Sequence, residues 1–236
     1  MHFLLRLPLP SCVTLLLLIW CDVLMAFPSS SSSSLPKLVL LDRDGVINHD
    51  VGSPGVTLPS QLQLTTGAAV AIGRLKRAGC TVVLVTNQSC VGKGIISRTQ
   101  LTVIHDEMMR QLRLDDADAT LDRLYVCTTT TTTEDARRKP NGGMMLEAMK
   151  DFQVDAADCV LVGDTWTDLQ AAAAANVPLR ILVSTGYGVG IMGREARKDK
   201  EYIEEVSSLS TSLPESILPF YYIKNLACAV DYLMTR

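Results

Sequence analysis

The sequence lacks a basic run, a C-x-x-C pair and an apolar stretch of the about 20 residues that a membrane span needs, and it holds only three histidines in 236 residues. Each absence removes a class of function. A formal net charge of −3 and the lack of a basic cluster argue against a nucleic-acid partner held by phosphate neutralisation. They do not argue against a small anionic ligand, which needs only a few local donors. The seven cysteines include Cys12 and Cys21 near the start. The other five, Cys80, Cys90, Cys127, Cys159 and Cys228, are odd in number and widely spaced. That spacing describes neither a disulfide framework nor a zinc site, and it fits free thiols in a reducing compartment. No internal repeat and no coiled-coil pattern is present. What remains is a chain whose apolar fraction of 47% supports a full core, in one large domain or one domain with appendages.

The first stretch differs from the rest. Arg6 precedes an apolar run from Cys12 to Trp20, and Ala26 offers a small residue at a cut, with Leu24 an imperfect fit three positions before it. This is the layout of a signal peptide. A membrane anchor is the alternative, but Asp22 interrupts a run already too short. Phe27 follows Ala26 directly, ahead of a serine tract. The junction resembles the bipartite plastid-targeting presequence of diatoms and related algae; a flexible linker after a secretory signal is the other reading. Residues 1–36 are expected to be presequence and linker, and 37–236 the functional domain. The expected location is the plastid, with the secretory lumen as the alternative.

From Lys37 onward, strands and helices alternate. Leu38 to Leu41 is a short apolar run suited to a strand buried on both faces. Gly67 to Gly79 carries apolar residues at helical spacing and stops at a glycine. "CTVVLVTN" reads as a strand. Ser97 to Gln100 forms a capping box that opens a helix with Leu101, Ile104, Met108 and Leu112 on one face. "LDRLYVC", "CVLVGD" and "RILVSTGYG" read as strands, and "GMMLEAMKDF" and "DLQAAAAANV" as helices. The tail from Tyr221 reads as a last helix docked on the sheet. Thr128 to Thr133 and Ser207 to Ser212 read as loops. The alternation predicts an α/β fold, a Rossmann-like open parallel sheet with helices on both faces.

In such sheets ligands bind beyond the carboxyl ends of the strands. The residues expected there are Asp42 and Asp44, Thr86 and Asn87, and Asp164 and Asp168, with Arg138 and Lys139 between the third and fourth strands. Asp42 and Asp44 can share a side, with Arg43 turned away. Carboxylates so close repel unless a cation or proton lies between them. With Asp164 as a third, they suit Mg²⁺. Lys139 supplies a compensating ammonium, and Thr86 and Asn87 can hold phosphoryl oxygens. The set reads as phosphoryl transfer, with Asp42 attacking phosphorus and Asp44 serving as acid and base. Taken singly, D-x-D is a polar turn, T-N is turn chemistry, and G-D-x-x-x-D is a helix start.

In this order, "DRDGV", "TNQS", "RKP" and "VGDTWTD" resemble the four motifs of the haloacid dehalogenase superfamily. More narrowly, "LDRDGVIN", "VTNQSCVGKG", "RKPNGGMM" and "VGDTWTDLQAAAAANV" resemble its D-glycero-D-manno-heptose 1,7-bisphosphate phosphatase group, which includes the histidinol-phosphatase domain. The resemblance implies a Mg²⁺-dependent phosphatase acting through an aspartyl-phosphate. Asp42, the carbonyl of Asp44 and Asp164 hold the metal, and Lys139 steadies the phosphoryl group. Thr86, Asn87, Gln88, Ser89, Arg138 and the loop after Asn48 contact substrate. The short gaps between motifs leave no room for a large cap, so an open site is expected.

Two departures stand out. The group's Cys and His zinc loop is replaced here by "CTTTTTTEDARRKP", with Cys127 its only such ligand, so no zinc is expected. The group's glycine after T-N-Q-S is Cys90, which implies altered or strained backbone if that position needs a positive φ. Cys90 reads as a packed or idle thiol, with a redox-sensitive one as the alternative. His49 follows the first motif and reads as an ordinary side chain, with substrate contact as the alternative, and His105 reads as a solvated or half-buried residue of its helix. The expected ligand is a small phosphorylated metabolite, a sugar (bis)phosphate, with histidinol phosphate as rival. A polynucleotide 3′-phosphatase or a lapsed phospho-ligand sensor is a further alternative. Neither a nucleic-acid nor a membrane partner is expected for the mature chain, and a monomer is expected.

Overall fold

The structure, a computed structural model, describes residues 35–191, 203–208 and 215–236. All but the last two residues of the presequence expected over 1–36, and most of the serine-rich loop at 207–212, therefore lie outside the described residues. In chain order the strands are β1 (Leu38–Leu41), β2 (Thr81–Asn87), β3 (Arg123–Cys127), β4 (Cys159–Gly163), β5 (Leu179–Val183), β6 (Ile203–Val206) and β7 (Phe220–Ile223). The helices are α1 (Ala68–Arg77), α2 (Ser89–Gly92), α3 (Arg98–Asp115), α4 (Gly143–Phe152), α5 (Trp166–Ala174), α6 (Gly188–Ile191) and α7 (Leu226–Thr235). The sheet order is β3-β2-β1-β4-β5-β7-β6, parallel except for β6, which runs antiparallel to β7 at the edge.

β1 shows why the fold is doubly covered. All four of its residues are buried, and they alternate between two cores. Val39 and Leu41 pack with α1, α3 and α7, whereas Leu38 and Leu40 pack with α4 and α5. A four-residue run without a polar position suits a strand with both faces dry. Each fully buried leucine contributes about 2 kcal/mol relative to an exposed one. An aspartate at Leu40 would place an unpaired charge in the middle of the sheet.

The expected helices form close to their predicted bounds. α3 is opened by the capping box, Gln100 N–H donating to Ser97 Oγ at 3.1 Å and Ser97 N–H to Gln100 Oε1 at 2.8 Å. α5 starts two residues earlier than periodicity indicates, because Thr165 caps it through Asp168. Two expectations need correction. The strand "RILVSTGYG" ends at Val183, and the chain turns at Ser184 towards the site. The tail is not one helix. Phe220–Ile223 pairs with β5 as a strand, and α7 starts only after Asn225, whose side chain accepts from Cys228 N at 2.9 Å. Aromatic and branched residues favour the pleated surface, and the asparagine cap separates the two elements.

The strand order places the turn in topology at β1. The chain first builds outward through β2 and β3, and then returns to β4 on β1's other side. The crevice beyond the carboxyl ends of β1 and β4 is where such sheets bind ligands.

Candidate active site

β1 delivers Asp42 to that crevice, its N–H still donating to Val162 O of β4 at 3.0 Å. The chain then turns tightly, with the Arg43 carbonyl accepting from the amides of Ile47 and Asn48 at 2.9 and 3.0 Å. Thr65 Oγ1 braces the turn by donating to Val46 O at 2.7 Å. Gly45 has φ +79°, and a Cβ there would collide with the Asp164 carboxylate. Gly186, at φ +58°, meets the same carboxylate from the loop after β5. Only glycine fits either position, so Asp164 lies in a cradle of two bare backbones. Its Oδ2 accepts from Tyr187 N–H at 2.9 Å.

Lys139 reaches the site from the loop between β3 and α4. Asn87, at the end of β2, clasps its backbone at two points: Asn87 Nδ2 donates to Lys139 O at 2.9 Å, and Lys139 N–H donates to Asn87 Oδ1 at 3.1 Å. The ammonium donates to Val85 O at 2.9 Å and lies 2.8 Å from Asp42 Oδ1 and 2.5 Å from Asp168 Oδ1. The last two contacts are ion pairs, since neither carboxylate oxygen accepts an aligned hydrogen bond. Burial alone would lower the proton affinity of Lys139, but Asp168 and Asp42 outweigh it and hold the pKa above its ordinary value.

Asp42, Asp164 and Asp168 each place a carboxylate oxygen within 4.8 Å of the others, and all three are buried. Burial pushes Asp42 up to about 6, against the pull of Lys139 and with Asp168 adding repulsion. Burial, then Asp42 and Asp168, push Asp164 up to about 8. Asp168 is otherwise engaged, pairing with Lys139 and accepting from Thr165 N and Oγ1 at 3.0 and 2.6 Å. Asp42 and Asp164 remain as two hard oxygen donors short of positive charge, which is the chemistry that Mg²⁺ fits.

Asp44 is the opposite case. Arg43 donates to it from Nε and Nη2, at 2.9 to 3.2 Å, Asn48 Nδ2 donates at 2.9 Å and Gln88 Nε2 at 3.0 Å. Burial would raise its pKa, but the Arg43 charge and these donors lower it below the ordinary carboxylate range. Arg43 is turned away from the cavity as expected. It is not solvated, however: it is 0% exposed and is the strongest partner of Asp44.

The site opens into a cavity of about 370 Å³. Asp42, Asp44, Thr86, Asn87, Ser89, Arg138, Lys139 and Asp164 all line it, as expected from the sequence. So does the loop of Asp50 and Gly52 to Gly55, with Lys93, Thr165, Thr167 and Tyr187 around the rim. Arg138 is held there by donating from Nη1 to Thr129 O at 2.6 Å.

Two expectations are corrected, at Gln88 and His105. Gln88 is buried and does not line the cavity; its amide turns inward to Asp44 and Thr86. His49 is exposed and does not line it either. Cys90 sits in α2 without a positive φ, so its backbone carries no strain. Its thiol is buried and its pKa raised by that burial. His105 is 7% exposed and bonds to Arg43, so it is neither solvated nor half-buried. The missed residues Arg43, Asn48 and His105 left a faint signal: position 105 continues the apolar stripe of 101, 104, 108 and 112.

A β1 nucleophile candidate, a shared ammonium and a carboxylate pair fit for Mg²⁺ at a doubly wound sheet define a class. A sequence profile of haloacid dehalogenase-like hydrolases matches residues 55–176. The chain belongs to that family, and its enzymatic class is that of the phosphoric monoester hydrolases. The first motif lies outside the matched span, and stands on the geometry. Among relatives, the chain is 40% identical over 152 residues to the D-glycero-beta-D-manno-heptose-1,7-bisphosphate 7-phosphatase of Bordetella bronchiseptica, covering 64% of this chain and 83% of that protein. It is 37% identical over 162 residues to the enzyme of the same name from Escherichia coli K12, covering 66% and 82%. The crystal structure of the D,D-heptose 1,7-bisphosphate phosphatase of B. bronchiseptica, complexed with magnesium and phosphate, aligns with a TM-score of 0.70 at 33% identity. That alignment spans 84% of this chain and 98% of the other.

Proposed function

We propose that the protein removes one phosphate from a small sugar bisphosphate of the D-glycero-D-manno-heptose 1,7-bisphosphate type, in a Mg²⁺-dependent reaction. The observation that carries this reading is Asp42 on the cavity floor, 2.8 Å from Lys139 and beside Asp164 and Asp44. Asp42 Oδ attacks phosphorus while the bond to the leaving oxygen breaks, giving an aspartyl-phosphate. Asp44 protonates the leaving oxygen, then takes a proton from the water that attacks the phosphorus and frees Asp42. In the ligand-free site Asp44 is ionised; an anionic phosphoryl group arriving beside it raises its proton affinity, and the proton Asp44 then takes up from solvent is the one it gives to the leaving oxygen.

Asp42 and Asp164, with the Asp44 carbonyl that family resemblance adds, would hold Mg²⁺, which supplies positive charge to the phosphoryl oxygens. Lys139 keeps Asp42 ionised in a buried place. Thr86 and Ser89 offer hydroxyls to the transferring group. At the rim, Lys93 and Arg138 offer cationic donors to the second phosphate. Their charge favours a bisphosphate over histidinol phosphate, whose far end is cationic.

Phosphate release is measured with Mg²⁺ across sugar mono- and bisphosphates and histidinol phosphate. Fast release from a bisphosphate, abolished by EDTA, is expected. Binding of the same esters without release would point to a sensor instead.

We expect no zinc, because Cys127 is the only Cys or His in its segment and its thiol is engaged with Thr129 and Asp135; metal analysis of the purified chain tests this. Plastid delivery by residues 1–36 is tested by following a fluorescent fusion, and the monomer by light scattering. No helix of the described residues is long and apolar enough to cross a membrane.

A further inference from the structure

Behind Asp44 lies a charge that never meets the cavity. Arg43 is fully buried, and one edge of its guanidinium, Nε and Nη2, grips Asp44. The other edge, Nη1, lies 3.2 Å from Nε2 of His105, 62 positions later in the chain, on α3. A guanidinium has donors only, so His105 Nε2 must be the acceptor. The ring is then neutral, with its proton on Nδ1. Burial, reinforced by the Arg43 charge, pushes its pKa down to about 4, in the same sense.

A neutral acceptor is the useful one here. A carboxylate in place of the imidazole would share the Arg43 charge and compete with Asp44 for the fork. An apolar residue would leave a buried N–H without a partner, a cost that the guanidinium would relieve by rotating. Imidazole satisfies that N–H and leaves the charge to Asp44.

We propose that His105 is a positioning residue for leaving-group protonation: by accepting from Arg43 it fixes the guanidinium plane whose other edge holds Asp44 as proton donor. This rests on the phosphatase reading above. As the P–O bond breaks, the electron pair stays on the leaving oxygen, which takes the Asp44 proton. A sugar alkoxide needs that proton. A 4-nitrophenolate, stable as an anion, does not. Displacing Asp44 therefore slows the sugar ester selectively, whereas general damage to the fold slows both.

The experiment compares the full chain with His105→Leu and His105→Gln, with Mg²⁺, on 4-nitrophenyl phosphate and D-glycero-D-manno-heptose 1,7-bisphosphate. The readout is kcat/KM, which reports the step in which the leaving group departs. For His105→Leu a loss of roughly ten- to a hundredfold is expected on the heptose ester, with less than about a twofold loss on the aryl ester. His105→Gln, whose carbonyl oxygen can accept in place of Nε2, should return the heptose activity to within about threefold of wild type. Equal losses on both esters, or no loss on either, would overturn the proposal while leaving the phosphatase reading intact. A wild type that turns over neither ester would overturn both. Independently of turnover, the imidazole ¹⁵N signals that vanish in His105→Gln should show a protonated Nδ1 and a bare Nε2. A charged ring or a protonated Nε2 would overturn the contact on which the proposal stands.

Discussion

Asp42 and Asp44 are separated by one residue, yet they belong to two walls of the cavity built in opposite ways. Around Asp44 every oxygen is supplied: Arg43, Asn48 and Gln88 converge on it, and its proton affinity falls. Around Asp42 and Asp164, carboxylates outnumber cations. Three of them share one ammonium; Thr165 serves only Asp168 and a single backbone amide serves Asp164, and the proton affinities of Asp42 and Asp164 rise. The difference separates their roles. A satisfied carboxylate is held still and ionised, ready to exchange a proton. An undersupplied pair draws in a divalent cation and an anionic ligand, which complete it. Two carboxylates of identical chemistry thus acquire two functions from their surroundings.

The contrast breaks most visibly at Asp42. Asp42→Asn keeps the shape but removes the attacking group, and phosphate release should fall by roughly four orders of magnitude or more. Retention of more than a few per cent activity would mean that another group attacks phosphorus.

Lys139→Met comes next, because it strips the undersupplied wall of its cation. Asp42 and Asp168 would then face each other in a buried site. We expect about 3 kcal/mol of lost stability and roughly a hundredfold slower phosphate release, read from denaturant melts and initial rates. A variant as stable as wild type would show that Lys139 contributes nothing net to the wall.

A milder effect follows from pH. Asp42 near 6 and Asp164 near 8 lie above their ordinary value of 3.8, so both carboxyls bind protons more tightly in the folded chain than in the unfolded. Their contribution is fully present below about pH 4 and is lost as pH rises through 6 and then 8. Asp44 has the reverse sign, stabilising above about pH 4 and losing that contribution on acidification. Thermal melts with and without Mg²⁺ should therefore show a larger Mg²⁺ stabilisation at pH 8 than at pH 5. An increment that is constant with pH would contradict a metal held by these two carboxylates.

The smallest effect tests how far the support of Asp44 extends. Cys90 Sγ lies 3.8 Å from Gln88 Oε1, behind the residue that holds Asp44. Cys90→Ala should cost about 1 kcal/mol or less and leave kcat/KM and the response to oxidants unchanged. Loss of an oxidant response in the variant would make the thiol a redox element after all.

The legible parts of the molecule are those in which the deciding contact is local or periodic. Leu38 to Leu41 reads and folds as a doubly buried strand, and Ser97 with Gln100 reads and folds as the start of a helix. The D-x-D beyond β1, the lysine before Pro140 and the aspartate after β4 were readable as one site because strand ends converge in any doubly wound sheet. The Thr165 cap is local too, but it lies outside the apolar periodicity, so periodicity alone places the start of α5 at Asp168 rather than Trp166. The split of the tail into β7 and α7 depended on β5 offering a partner edge.

The sequence alone therefore determined the strand and helix periodicities, the fold class they add up to and the ordered set of carboxylates and lysine at the strand ends, because these are properties of neighbouring residues. Tertiary structure alone decided that Gln88 turns inward, that Asp168 serves Lys139, and that His105 reaches Arg43 from 62 positions away. Hydrogen-bond partners and burial fix the charge state of each carboxylate. Those partners come together only when distant segments pack, so no local pattern could carry them.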